Sequence, residues 1–229
     1  MIADMAPTNP SAAAPTARRV LIVDDHPLMR QAVREIVLED SNLQICGEAA
    51  NVQSAMELAG RLLPELAIVD ISLGTGNGLE LIRQLKAADP AIRILVLSMH
   101  DEATYAERVV RAGAHGYVCK QCDAATIRAA INRVLSGGMY LSPEAVEQVL
   151  GQPNFRAGAI ASPVALLSDR ELQILGLIGR GSSTMEIAKN LGLSIKTVGA
   201  HRHRIKEKLN VKHANELVRF AVQWTLENG

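Results

Sequence analysis

Cysteine, net charge and long apolar runs are all scarce in this chain of 229 residues. Its three cysteines, Cys46, Cys119 and Cys122, are too few to staple a chain of this size, which excludes a disulfide scaffold. Cys119-Lys120-Gln121-Cys122 forms a C-x-x-C, but no second Cys/His pair at ligand spacing completes a zinc site. The redox reading lacks a helix N-terminus directly after a first strand to lower a thiol pKa. Cys119 is expected to fill an apolar strand position and Cys122 the loop that follows. No uncharged apolar run approaches the ~18 residues of a membrane span. Residues 1–17, rich in Ala, Pro and Thr with Asp4 near the start, lack the basic and apolar regions of a secretion signal. The expectation is a disordered tail on a cytoplasmic protein with no membrane segment.

The zero net charge, from 24 basic and 24 acidic residues, conceals an asymmetry. From Pro163 onward ten basic residues stand against six acidic ones, leaving about +4 there and about −4 on the rest. That split suggests a polyanion-binding module joined to an acidic one. The length suffices for two small domains, each with a core of its own.

From Arg18 to about Gly137 the pattern alternates strand and helix. Strands are expected at Val20–Asp24, Gln44–Ala49, Leu66–Asp70, Arg93–Ser98 and Gly116–Cys119. Amphipathic helices are expected between and after them, at Pro27–Glu39, Val52–Leu63, Leu79–Ala88, Thr104–Arg111 and Ala124–Leu135. Five such units imply an α/β domain with a doubly wound, five-stranded parallel sheet over 18–137. A connector over 138–164 includes a short helix at Pro143–Leu150. Beyond it, Ser168-Asp169-Arg170-Glu171 and Ser183-Thr184-Met185-Glu186 are capping boxes. They open an all-α, four-helix domain over 165–229, with helices at Asp169–Arg180, Thr184–Leu191, Ile195–Leu209 and Ala214–Thr225.

Four of the apolar runs end in residues suited to phosphate or metal. One runs into Asp24 and Asp25, one into Asp70, one into Ser98 and one into Lys120. The carboxyl ends of parallel strands share one rim, where open α/β folds bind ligands. Two carboxylates ~4 Å apart repel by about 4 kcal/mol at an effective dielectric of 20, so the rim needs a cation. Mg²⁺ suits it, preferring a few carboxylates with waters and phosphate oxygens. Asp70 is then placed to attack a phosphoryl group, Lys120 to neutralise its oxygens and Ser98 to donate a hydrogen bond.

In the second domain, Ser194 caps a cation-rich helix whose Val198, Ile205 and Leu209 form the buried stripe. Lys196, Gly199, Ala200 and His203 recur on another stripe, suited to a major groove. Arg202, Arg204, Lys206 and Lys208 lie within reach of phosphates beside it. Helix, tight turn and basic helix read as a helix-turn-helix. His201, next to the buried stripe, is expected to be packed and hydrogen-bonded rather than to read bases.

The strand-end residues and their spacing resemble the receiver domain of two-component response regulators, over Arg18 to about Ser136. The resemblance makes Asp70 the phosphoacceptor, with Asp25 a direct Mg²⁺ ligand, Asp24 a ligand through water and the Ser72 carbonyl a further ligand. It makes Ser98 and Tyr117 a coupled switch pair and Lys120 the phosphate-binding ammonium. Two positions differ from the family pattern. Leu73-Gly74 stands where a Met-Pro pair is usual, opening a Gly74-to-Gly78 loop, and Gln121 replaces a cis-proline, so a trans bond is expected there.

Leu167 to Val222 resembles the LuxR-type helix-turn-helix, through Leu167-Ser168-Asp169-Arg170-Glu171, Glu186-Ile187-Ala188, Lys196-Thr197-Val198, His201 and Lys208-Leu209. The whole chain thus resembles the NarL/FixJ class. By that resemblance Gly199, Ala200 and His203 face bases, while Lys196, Thr197, Arg202, Arg204 and Lys208 complete the DNA contacts. The implied function is phosphorylation of Asp70 by a sensor histidine kinase, gating homodimerisation and binding to inverted-repeat half-sites in double-stranded DNA, with RNA polymerase as a further partner. Two other readings stay open. A phosphohydrolase would use Asp70 as nucleophile, although Ser72 stands where such enzymes commonly place a second acid. A constitutive DNA binder would use the first domain only for protein contacts or oxidation sensing.

Overall fold

The computed structural model describes residues 17–74, 76–100, 102–143, 145–146 and 163–228. The expected tail, apart from Ala17, lies outside the described residues, as do Glu144, the second half of the Pro143–Leu150 helix and the connector up to residue 162.

Five strands, β1 (Arg18–Val23), β2 (Leu43–Ala49), β3 (Leu66–Val69), β4 (Arg93–Ser98) and β5 (Gly116–Cys119), form one sheet in the order β2-β1-β3-β4-β5. Every pairing is parallel. The crossovers are α1 (Pro27–Leu38), α2 (Val52–Leu62), α3 (Gly78–Ala88) and α4 (Glu102–Ala112), and α5 (Ala124–Leu135) follows β5. Strand residues alternate between two buried faces, which is why the runs are apolar throughout. Val20, Ile22, Ile68, Leu95 and Val118 pack against Val33 and Val37 of α1 and Ile127 and Ile131 of α5. The intervening Leu21, Val23, Val69, Val96 and Tyr117 pack against Leu81 and Leu85 of α3 and Tyr105 and Val109 of α4.

Several element boundaries differ by a few residues from the sequence expectation, and two of them bear on the site. β1 and β3 stop one residue earlier, so Asp24 and Asp70 stand just beyond their strands, although the Asp70 N–H still bonds to the Val23 carbonyl at 2.8 Å. After α5, Tyr140 bridges Gly116 and its carbonyl accepts the Tyr117 N–H at 2.9 Å. The sheet edge is thereby covered by residues assigned above to the connector.

After a 3₁₀ turn at Pro163–Leu166 come α6 (Asp169–Gly179), α7 (Thr184–Asn190), α8 (Ile195–Leu209) and α9 (Ala214–Asn228). Both capping boxes form, at Ser168/Glu171 and Ser183/Glu186, and the Ser194 hydroxyl caps α8 by accepting the Thr197 N–H at 3.0 Å. Val198, Ile205 and Leu209 are the buried residues of α8. Apolar side chains of these helices and those of the α3–α4 face belong to one contiguous cluster.

His115, just before β5, accepts the Ile94 N–H on Nδ1 at 3.1 Å. Burial, with Lys86 and Arg93 nearby, pushes its pKa down to about 4 from an ordinary 6.5. Protonation therefore favours the unfolded chain, and the stabilising difference is lost as pH falls from about 6.5 toward 4. Urea midpoints at pH 7, 6 and 5 are expected to fall more steeply for wild type than for His115→Asn, whose amide oxygen keeps an acceptor without titrating. Parallel slopes would contradict this assignment.

Candidate functional site

The strand order reverses between β1 and β3, and the crevice at their carboxyl ends is where open α/β sheets bind ligands. Asp24 and Asp70 are each 3% exposed there. The Lys120 ammonium bridges them, 2.6 Å from Asp24 Oδ2 and 2.7 Å from Asp70 Oδ2. Burial pushes the Asp70 carboxyl up to about 6, with Lys120 opposing it. Burial also works against the charge on Lys120, but Asp70 and Asp24 outweigh it and raise the ammonium above its ordinary value. One lysine therefore faces two buried carboxylates, while Asp25 lies 2.8 Å from His26 Nδ1.

Asp25 Oδ1 is shielded from solvent and makes no hydrogen bond. One oxygen each from Asp24, Asp25 and Asp70 and a His26 ring nitrogen all lie within 4.8 Å of one another. An orphaned carboxylate oxygen among hard donors fits a divalent cation. Ser72 is held at this rim by its N–H, which donates to Asp70 Oδ1 at 3.1 Å. Gly74 takes φ +45°, and a Cβ on it would stand 3.2 Å from Asp25 Oδ2. Proline cannot adopt that φ, so the departure from Met-Pro sets a different loop path. The chain contains no cis peptide among the described residues, in keeping with the trans expectation at Gln121.

Ser98 is fully buried, its Oγ accepting the His100 N–H at 3.3 Å. Tyr117 donates its hydroxyl to the His100 carbonyl at 2.6 Å. His100 has no counterpart in the sequence analysis, yet it links the site: its Nε2 is 2.8 Å from Ser72 Oγ and its ring stacks on Tyr105 at 4.8 Å. Burial, then Arg180 and Lys120, lower its pKa to about 4. No sequence signal singles it out, because its four partners come from four separate segments.

On α8, Lys196, Gly199, Ala200, His203 and Arg204 are exposed, and no atom lies within 4 Å of a Cβ placed on Gly199. Arg202 and Thr197 are half-buried, and the Thr197 hydroxyl is 2.8 Å from that of Ser194. Lys208 donates to Glu171 Oε2 at 2.6 Å, so this cation anchors α8 to α6. Burial alone would raise the Glu171 pKa, but the bonds from Lys208 and Ser168 bring it below the ordinary value. His201 is half-buried as expected, but its Nδ1 lacks a hydrogen bond.

The two domains touch through residues that spacing does not pair. Asp169 at the start of α6 accepts Arg83 Nη2 of α3 at 2.8 Å and Arg108 Nη1 of α4 at 3.0 Å. Gln173 Nε2 donates to the Gly76 carbonyl at 3.2 Å, in the loop that follows Asp70. The exposed stripe of α8 stays open in this arrangement.

Residues 20–132 match the model of the response regulator receiver domain, and residues 165–221 that of bacterial regulatory proteins of the luxR family. Response regulator GacA of Pseudomonas viridiflava is 34% identical over 205 residues, covering 90% of this chain and 95% of the relative. Response regulator UvrY of Escherichia coli K12 is 32% identical, covering 91% and 95%. Among solved structures, RcsB from Salmonella enterica serovar Typhimurium, bound to promoter rprA in the presence of phosphomimetic BeF₃⁻, is similar with a TM-score of 0.64. It is 26% identical, and the match covers 90% of this chain and 99% of that one. These are transcriptional regulators rather than turnover enzymes, so the phosphohydrolase reading falls. Parallel sheet, acidic crevice and basic helix thus converge with the sequence matches: the chain belongs to the two-component response regulators of the NarL/FixJ class, a receiver domain joined to a LuxR-type DNA-binding domain.

Proposed function

We propose that Asp70 is the phosphoacceptor, that a sensor histidine kinase supplies its phosphoryl group, and that the modification gates homodimerisation and binding to inverted half-sites in duplex DNA. The observation that carries this reading is the Lys120 bridge to two buried carboxylates at the β1/β3 crevice, with Asp25 Oδ1, which makes no hydrogen bond, beside it. Asp24, Asp25, Asp70 and the Ser72 carbonyl would hold Mg²⁺, whose bound charge neutralises phosphoryl oxygens. Asp70 attacks as a carboxylate nucleophile. Lys120, already at bonding distance from Asp70, moves little to meet a phosphoryl oxygen. Ser98 turns its hydroxyl to the phosphate, giving up the His100 N–H, and Tyr117 follows through the same His100 backbone. A ligand shifts such an equilibrium only by its differential contacts with the two states.

On DNA, Lys196, Gly199, Ala200 and His203 face the major groove while Thr197, Arg202 and Arg204 meet the backbone. Lys208 supports them through Glu171 and reaches phosphate only at the rim. The cytoplasm, where kinase, DNA and RNA polymerase are available, is the working compartment. Among the described residues no helix is long and apolar enough to cross a membrane.

Beryllofluoride, a phosphoryl mimic, is expected to shift wild type to a dimer in sedimentation. It should also tighten binding at least tenfold to a duplex selected from a random pool. Asp70→Asn should show neither response. Equal beryllofluoride responses in wild type and Asp70→Asn would refute the assignment.

A further inference from the structure

The acidic crevice contains a nitrogen donor that the three-aspartate reading does not use. His26 Nδ1 lies 2.8 Å from Asp25 Oδ1 and 3.4 Å from Asp24 Oδ1. Asp25 Oδ1 makes no hydrogen bond, and both contacts are ion pairs when the imidazole carries a proton on Nδ1, the place a metal ion would take. In the neutral imidazole with its proton on Nε2, the Nδ1 lone pair and the Asp25 carboxylate face each other as two Lewis bases. Six-coordinate ions with bonds of about 2.1 Å hold adjacent ligand atoms about 3 Å apart and opposite ones about 4.2 Å apart. The two His26 distances are of the first kind, and the 4.8 Å span of the whole group admits the second.

His26 is held there by the backbone. As the N-cap of α1, ahead of Pro27, it is extended at φ −90° and ψ 112°. Its N–H donates to Asp24 Oδ1 at 2.8 Å, which fixes the backbone beside the carboxylates, and the ring, 65% exposed, turns its Nδ1 toward them. The opposite flank of Asp24 is fixed by Lys120, so the carboxylate cannot rotate away without losing that bond.

We infer that His26 Nδ1 is a direct ligand in this crevice, making it a mixed nitrogen and oxygen site that prefers a borderline divalent ion such as Mn²⁺ to Mg²⁺. This rests on the metal-binding reading above. Neutral imidazole is a good ligand for first-row transition ions, whereas Mg²⁺ favours oxygen and retains its waters. A nitrogen in the ligand set therefore strengthens Mn²⁺ binding selectively.

Titration of the full-length protein with MnCl₂ and with MgCl₂ tests this, alongside electron spin-echo spectroscopy of the Mn²⁺ form. Wild type is expected to bind Mn²⁺ at least about tenfold more tightly than Mg²⁺ and to show ¹⁴N modulation characteristic of a ligating imidazole. His26→Ala should lose the modulation and about tenfold in Mn²⁺ affinity, with Mg²⁺ affinity changed less than about threefold. Absence of ¹⁴N modulation in wild type, or equal losses for both ions in His26→Ala, overturns the inference while leaving the aspartate site intact. Failure of wild type to bind either ion overturns the metal reading itself, and Asp25→Asn should reproduce that failure.

Discussion

Gly78→Ala is expected to destabilise the receiver domain by about 2 to 3 kcal/mol, near the upper end of the cost of overpacking a core. A Cβ on Gly78 would collide with the Asp70 carbonyl oxygen and stand 2.6 Å from Ile71 Cα. These are backbone atoms, so no rotamer change relieves the contact. The Gly78 N–H also donates to the Ile71 carbonyl at 3.0 Å, which presses the start of α3 against the segment leaving β3. Because that segment carries Asp70, strain passes directly to the proposed acceptor. A displacement near 1 Å at a reacting group costs about a hundredfold in rate, so phosphoryl uptake from acetyl phosphate is expected to fall by at least about tenfold. Gly60→Ala is the control: no atom lies within 4 Å of its added Cβ, and α2 should gain about 0.5 to 1 kcal/mol. Chemical denaturation and a phosphorylation time course on both variants separate the two. A Gly78→Ala protein as stable and as readily phosphorylated as wild type would show that the close approach exerts no strain.

Much of this site is written in the strand runs. Each run that ends in Asp24, Asp70, Ser98 or Lys120 is apolar because both sheet faces are buried, and the parallel topology brings those ends to one rim. Capping boxes and the stripe Val198, Ile205 and Leu209 were equally readable, since both are local patterns. His100 was not, because its contacts with Ser72, Ser98, Tyr105 and Tyr117 exist only once four segments meet. Lys208 illustrates a different limit. Its cationic type suggests phosphate, but the buried Glu171 carboxylate, 37 residues away in sequence, takes it first. The Asp24-Asp25-His26 triplet was visible as a string, while the approach of Nδ1 to both carboxylates appears only in the folded loop.

Asp169→Ala is expected to shift the protein from its closed arrangement toward an open one by about tenfold. Asp169 accepts from two guanidinium groups, Arg83 and Arg108, and its own side chain is 19% exposed. Charge-assisted bonds of this kind contribute about 1.5 to 3 kcal/mol. Arg83 is nearly half exposed, so screening brings the estimate to the lower end, near a factor of ten. Gln173 adds a neutral bond to Gly76, in the loop that follows Asp70. Small-angle scattering should therefore show wild type compact without beryllofluoride and expanded with it, and Asp169→Ala more expanded than wild type in its absence. Since the Lys196, Gly199, Ala200 and His203 stripe of α8 is already exposed when the domains touch, monomer affinity for non-specific duplex should change less than about twofold. Dimerisation should instead require less beryllofluoride, because the mimic no longer has to separate the domains before they pair. An Asp169→Ala protein that stays compact would assign the closed arrangement to the apolar cluster alone. A large rise in monomer DNA affinity would mean that the contact acts by covering the recognition helix after all.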